Sequence, residues 1–164
     1  MCAMNNHFVG TASRSIPSQF KSLFHGEGSQ LERYAKVFNC VEINSSFYRD
    51  HKPETYKKWS QMVGKDFRFS VKLSRHFTQH QRLKETGPKL KEVLDGIFEL
   101  GDKLGVLLVQ LPPSLNFEPK VAERFIGDLR KTYSGVIAWE PRHLSWIDEP
   151  ALSLFEAYNI NKVL

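Results

Sequence analysis

The sequence predicts an α/β fold, a parallel (β/α) barrel that stops after about five strand–helix units and the start of a sixth strand. Three observations predict it. Short apolar runs alternate with longer helical periods, which implies right-handed crossovers and a parallel sheet with helices outside. The strands carry polar residues on one parity, whereas a sheet covered on both faces reads as continuous apolar runs. No glycine-rich phosphate loop follows the first strand, which weighs against the competing arrangement, a small, open, doubly wound sheet.

Residues 8–12, containing Gly10 and Thr11, form the first strand. A loop with Pro17 and Gly26 leads to a helix over 29–38, where Ser29 and Glu32 have the spacing of a capping box. Residues 40–46 form strand two, Pro53 opens a helix over 54–63, and Gly64 ends it. Strand three covers 67–73. After a polar loop, a helix runs over 88–104, interrupted in propensity by Gly96 and Gly101. Strand four, 106–111, stops at Pro112 and Pro113; a helix follows over 119–133. Strand five is 136–140, the next helix 149–159, and 160–164 begins strand six. The whole chain reads as one domain, the N-terminal part of a barrel. Closing eight strands takes roughly 200 residues or more, so two further strand–helix units are expected beyond it.

Composition limits the function classes. A hydrophobic content of 41% with 25% charged residues excludes a disordered chain. The net charge of +5 favours an anionic partner, a phosphorylated metabolite as readily as nucleic acid. Cys2 and Cys40 make neither a metal knuckle nor a disulfide framework, which suits a reducing cytoplasm. The segment from Met1 to Phe8 lacks a signal peptide's charged and apolar regions, and no apolar run approaches membrane-spanning length, so no membrane partner is expected.

Strand parity singles out the candidate site. Glu42 and Asn44 share one face of strand two, opposite Val41 and Ile43; Arg68, Ser70 and Lys72 share one face of strand three. Strand four ends in Gln110 and strand five in Glu140. Asn44, Lys72, Gln110 and Glu140 thus fall at C-terminal strand ends, where barrel enzymes assemble their sites. A buried, unpaired charge costs several kcal/mol, roughly, so Glu42, Lys72, Glu140 and Arg142 are expected to pair with one another or with a ligand. A structural ion-pair network in a polar lumen, or half-exposed strands, would account for the same residues.

The run Glu32-Arg33-Tyr34-Ala35, the run from Val41-Glu42-Ile43-Asn44 through Ser45-Ser46-Phe47-Tyr48, and Pro53-Glu54-Thr55 resemble the YecE-like family, domain of unknown function 72. So do Gly10-Thr11, Phe67-Arg68-Phe69-Ser70-Val71-Lys72, Leu100-Gly101-Asp102-Lys103-Leu104-Gly105, Leu107-Leu108-Val109-Gln110-Leu111-Pro112-Pro113, and Glu140-Pro141-Arg142-His143 with Ser145-Trp146. The resemblance covers nearly the whole chain in order. It implies a TIM-barrel-like fold in proteins longer than this one, with no activity to carry over. Two departures stand out. Ala12-Ser13-Arg14 replaces a Ser-Gly-Trp stretch found in many members, and Pro141 replaces a Phe.

The expected chemistry follows from these residue types. Glu42 and Glu140 are the carboxylates expected in the upper barrel and can serve as general acid and base, unless each simply neutralises Lys72 or Arg142. Lys72 suits a Schiff base or, more simply, an ion pair or anion contact. Arg142 offers a fork for carboxylate or phosphate, His143 an acid or base, and Trp146, Phe47 and Tyr48 stacking surfaces or ordinary packing. The stretch 72–84 holds Lys72, Arg75, Arg82, Lys84, His76 and His80 with no acid, a basic rim for an anion or a solvated loop. His76 and His80 are spaced i, i+4 without the HExxH context, so no metal or other cofactor is assigned. No dinucleotide fingerprint, phosphate loop or Ser-His-Asp order appears, which argues against hydride transfer and phosphate-loop chemistry.

The leading expectation is an enzyme, whether hydrolase, lyase or isomerase, acting by acid–base chemistry on a small anionic, sugar-like or phosphorylated substrate. Glu42, Glu140, Lys72 and His143 would be catalytic, with Asn44, Tyr48, Arg75, Gln110, Arg142 and Trp146 binding. The alternatives are a nucleic-acid-associated or phosphodiesterase-like barrel, and a segment that is non-catalytic alone because the last strands of a barrel lie outside it. No oligomeric state is assigned.

Overall fold

The computed structural model describes residues 7–163. The leader reading over 1–8, the Cys2 reading and the last residue of the sixth strand, Leu164, therefore lie wholly or partly outside the described residues.

Six strands form one sheet in the order β1-β2-β3-β4-β5-β6. They are β1 Gly10–Thr11, β2 Cys40–Ile43, β3 Arg68–Lys72, β4 Leu104–Gln110, β5 Val136–Glu140 and β6 Ile160–Lys162. Every neighbouring pair is parallel. In a parallel sheet of strictly sequential order, right-handed crossovers carry every helix to the same face. This excludes the doubly wound alternative, whose strand order reverses at a switch point. Among the described residues the sheet does not close on itself: β1 pairs only with β2, and β6 only with β5.

The helices are α1 Gln30–Tyr34, α2 Ser45–Tyr48, α3 Pro53–Gln61, α4 Pro88–Phe98, α5 Pro119–Thr132 and α6 Glu149–Ala157. Proline stands in the first turn of α3, α4, α5 and α6, where its missing N–H costs nothing. The capping box at α1 is formed: Ser29 Oγ accepts from Glu32 N at 3.3 Å, and Glu32 Oε2 accepts from Ser29 N at 2.6 Å. Val41, Ile43, Phe69, Val71, Leu107, Val109, Ile137 and Trp139 alternate along the strands onto the helix side. There they pack with Tyr34, Tyr56, Leu94, Ile97, Phe125, Leu129 and Phe155 in one core. The opposite face carries Cys40, Glu42, Arg68, Ser70, Lys72, Gln110, Ala138 and Glu140, each half-buried. Gly10 is required by proximity, because a Cβ there would lie 2.0 Å from the Cys40 carbonyl oxygen across the β1–β2 pair.

Several elements differ from the sequence expectation. Strand two ends at Ile43 rather than 46: Asn44 is helical (φ −80°, ψ −23°), and α2 follows at once. The Ser46 hydroxyl lies 2.7 Å from both the Ile43 and Lys72 carbonyl oxygens, so a side chain competes with the ladder. The helix expected over 88–104 stops at Phe98; a 3-10 turn, Gly101–Lys103, follows with Gly101 at φ 57°, and β4 begins at Leu104, before residue 106. The first helix is shorter than 29–38, and residues 160–162 alone pair as β6. A 3-10 segment (Ser18–Leu23), a π-helical turn (His76–His80) and a 3-10 turn (Leu144–Trp146) were not expected. Among the described residues no helix is long and apolar enough to cross a membrane.

Candidate functional site

Strand parity brings Glu42, Lys72, Gln110 and Glu140 to one face of the sheet, with a lower tier in which Glu42 stands opposite Ser70, two residues before Lys72, and an upper tier of Gln110 and Glu140. Lys72 lies opposite Leu108, and Gln110 lies opposite Glu140 one step further toward the C-terminal ends. In the lower tier Lys72 Nζ is 3.3 Å from Glu42 Oε1, with the side chains 12% and 21% exposed. The ammonium also lies 5.6 Å from the Phe47 ring centroid. Taking both charges out of water is offset only by their pairing, so each holds the other in place.

In the upper tier both oxygens of Glu140 are occupied. Gln110 Nε2 donates to Oε2 at 2.7 Å, and Arg142 Nε and a terminal guanidinium nitrogen donate to Oε1 at 3.2 and 3.0 Å. Pro141 removes a backbone donor as the chain leaves β5. The expected pairing among Glu42, Lys72, Glu140 and Arg142 is therefore realised as two separate carboxylate–cation units.

His143 stands next to this cluster. Its Nδ1 is 2.8 Å from Ser145 Oγ and 3.2 Å from Ser145 N, and Ser145 Oγ itself accepts from Phe117 N at 2.7 Å. With Nδ1 accepting, the neutral ring carries its proton on Nε2. Asn44 Nδ2 donates to the Ala12 carbonyl and fastens the loop after β1 to the end of β2. Tyr48 is 66% exposed, and the Arg75 guanidinium carbon lies 5.4 Å from its ring centroid; Phe47 is buried edge-on beneath it.

Trp146 corrects the expectation of a stacking surface. The indole is 1% exposed, its Nε1 donates to the Leu115 carbonyl at 2.8 Å, and Phe117, Trp139 and Phe155 surround it. The 3-10 turn at Leu144–Trp146 drives the indole into the core and leaves Leu144 outside.

The basic stretch after β3 is partly consumed by structure. Phe77 and Thr78 anchor its π-helical turn in the interior. His76 Nε2 meets Glu85 at 2.5 Å, and Arg82 donates to the Ser114 carbonyl and hydroxyl. His76 and His80 have ring centroids 6.5 Å apart, and among the described residues no three metal-ligating side chains converge.

A second set of residues was not foreseen. Ser13, Arg14, Ser45, Arg49, His51 and Trp59 line a cavity of about 310 Å³ whose wall also includes Glu42, Gln30 of α1 and the helix-side residues Val41, Ile43 and Phe69. Ser45 Oγ is 2.8 Å from His51 Nε2. The Arg14 guanidinium carbon lies 4.6 Å above the Trp59 ring, and the His51 ring meets Trp59 at 5.1 Å. Burial holds the His51 imidazole below its ordinary pKa, reinforced by Arg49 and Arg14 and opposed by Asp50; burial also lowers Arg14. Arg49 and His51 lie in the connection from β2 to α3, on the side of the barrel where sites form. That position was the available signal. Arg14 offered none beyond its place where many members of the resembled family carry Trp.

A family model described as "Protein of unknown function DUF72" matches residues 8–164. The chain is 33% identical over 84 residues to the UPF0759 protein YecE of Escherichia coli (strain K12), a match covering 51% of this chain and 31% of that protein. It is 29% identical over 90 residues to the UPF0759 protein YunF of Bacillus subtilis (strain 168), covering 51% and 32%. Among solved structures it superposes on a DUF72 family protein from Thermotoga maritima MSB8 with a TM-score of 0.71 at 22% identity, covering 94% of this chain and 63% of that one. A DUF72 family protein from Enterococcus faecalis V583 gives a TM-score of 0.67 at 20% identity, covering 88% and 56%. The chain spans less than two thirds of either solved structure, and its matched segment about a third of each curated relative. At these identities the structural likeness bears on the fold alone, and it is to TIM-barrel-like proteins.

Proposed function

The chain belongs to the DUF72 family, and from that premise we propose that it is a barrel enzyme using acid–base chemistry on a small anionic, sugar-like or phosphorylated substrate. One observation carries the reading. Two carboxylates, Glu42 and Glu140, sit toward the C-terminal ends of different strands on the face away from the helices, each against a cation. A structural network needs the pairing but not this placement; a barrel active site needs both.

Glu42 and Glu140 exchange protons with the substrate, and Lys72 beside Glu42 and Arg142 beside Glu140 meet its negative charge as it enters. His143, with Nδ1 tied to Ser145, presents Nε2 as a donor. Asn44, Tyr48, Arg75 and Gln110 shape the surrounding surface. The expected outcome is turnover of at least one member of a panel of sugar phosphates and small phosphorylated acids, followed by NMR. E42Q and E140Q should each lower kcat by about 10²-fold or more. Turnover that survives both substitutions, or a wild-type chain inert across the panel, overturns the assignment.

A second reading rests on Tyr48 and Arg75. An exposed ring backed by a guanidinium is a stacking platform for a nucleobase. It requires salt-sensitive binding of single-stranded DNA or RNA that Tyr48→Ala weakens.

A further inference from the structure

Several cations near the C-terminal strand ends have a carboxylate of their own. Lys72 has Glu42, Arg142 has Glu140 and Lys89 has Asp50. Among the described residues Arg14 and Arg49 form no ion pair, and both line the 310 Å³ cavity beside β2. The carboxylate in that lining, Glu42, is already engaged by Lys72. The cavity therefore holds two guanidiniums, an imidazole and the Ser45 hydroxyl, while its carboxylate is committed to a lysine.

The positive charge is also held in place. Arg14 is half-buried against Trp59, whose ring braces the His51 edge as well. His51 Nε2 shares a hydrogen bond with Ser45 Oγ, and both residues line the same cavity as the two arginines. A half-buried cation without a carboxylate, as Arg14 is, is unfavourable alone and becomes favourable when an anion supplies the missing charge, and the exposed Arg49 adds to that attraction. A pair of arginines suits a dianion, and the planar guanidinium fork matches the oxygens of a phosphate.

We infer that this cavity is the phosphate subsite of the substrate, with Arg14, Arg49, Ser45 and His51 as its ligands. The inference rests on the reading of an anionic substrate acted on at Glu42, and it names a phosphomonoester as that substrate's class. The groups facing His51 are Arg14 from the loop after β1, Arg49 and Asp50 from its own connection, and the Tyr56 ring from α3. Since two of these are cations that press the imidazole toward its neutral form, a bound phosphate should reverse their effect.

Titrating inorganic phosphate into the 164-residue chain, by calorimetry and by NMR of the histidine rings, tests this. Saturable binding is expected, about tenfold or more weaker in R49Q and in R14Q. The His51 titration should move to higher pH when phosphate is present and stay put in chloride of equal ionic strength. Arg49 is exposed, so R49Q remains informative even where R14Q disturbs packing against Trp59. No saturable binding, or binding unchanged in a folded R49Q, overturns the subsite. Phosphate binding without any dependence of turnover on the glutamates would overturn the acid–base reading and leave the subsite standing.

Discussion

His51 shows how a residue's behaviour is set by neighbours far apart in sequence. Its ring is partly desolvated against Trp59 and Tyr56, with Arg49 and Arg14 close enough to oppose its protonation. The folded state therefore holds His51 below its ordinary pKa while the unfolded chain does not. Below the ordinary value, about 6.5, the unfolded state binds the proton more readily, so folding loses free energy as pH falls through that value toward the depressed one. His51→Gln should flatten this part of the stability profile, measured as urea midpoints between about pH 8 and pH 5. An unchanged slope would show that the imidazole is not held neutral. Glu42, Lys72 and Glu140 were legible from strand parity because alternation is a local property. Arg14 and His51 were not, because nothing local places a residue after β1 beside one after β2.

The same contrast appears among the elements, where Arg130 ties together segments the sequence separates. It stands in the last turn of α5 and donates to carbonyls of Tyr133 and Gly135, just before β5, and of Tyr158 and Asn159, just after α6. Those carbonyls would otherwise face half-buried ground without donors. Arg130→Ala should destabilise the chain by about 2–3 kcal/mol, since charge-assisted hydrogen bonds contribute roughly 1.5–3 kcal/mol each and do not add fully. Arg130→Lys should recover only part, lacking the planar fork. Chemical denaturation of both variants checks this; equal stability of Arg130→Ala and wild type would refute it. Elements opened by proline or bounded by β-branched runs, such as α5 and β5, were readable to within a residue or so. The end of β2 was not, because the Ser46 hydroxyl turns an extended-looking run into α2. Trp146 was misplaced for a similar reason: a 3-10 turn, invisible in the pattern, decides whether the indole faces solvent or core.

At the scale of the whole molecule, strand–helix alternation made a parallel sheet legible, the sequential strand order puts every helix on one face, and the polar parity of β2 to β5 marks the face they leave uncovered. On the proposed function this polar face holds the substrate at its C-terminal rim. A crystal structure of the chain with a bound sugar phosphate tests it most directly. The ligand is expected at that rim, with its phosphate between Arg14 and Arg49 and its sugar against Glu42. A ligand seated at the N-terminal ends of the strands, with Glu42 and Glu140 still engaged only by Lys72 and Arg142, would rule this out.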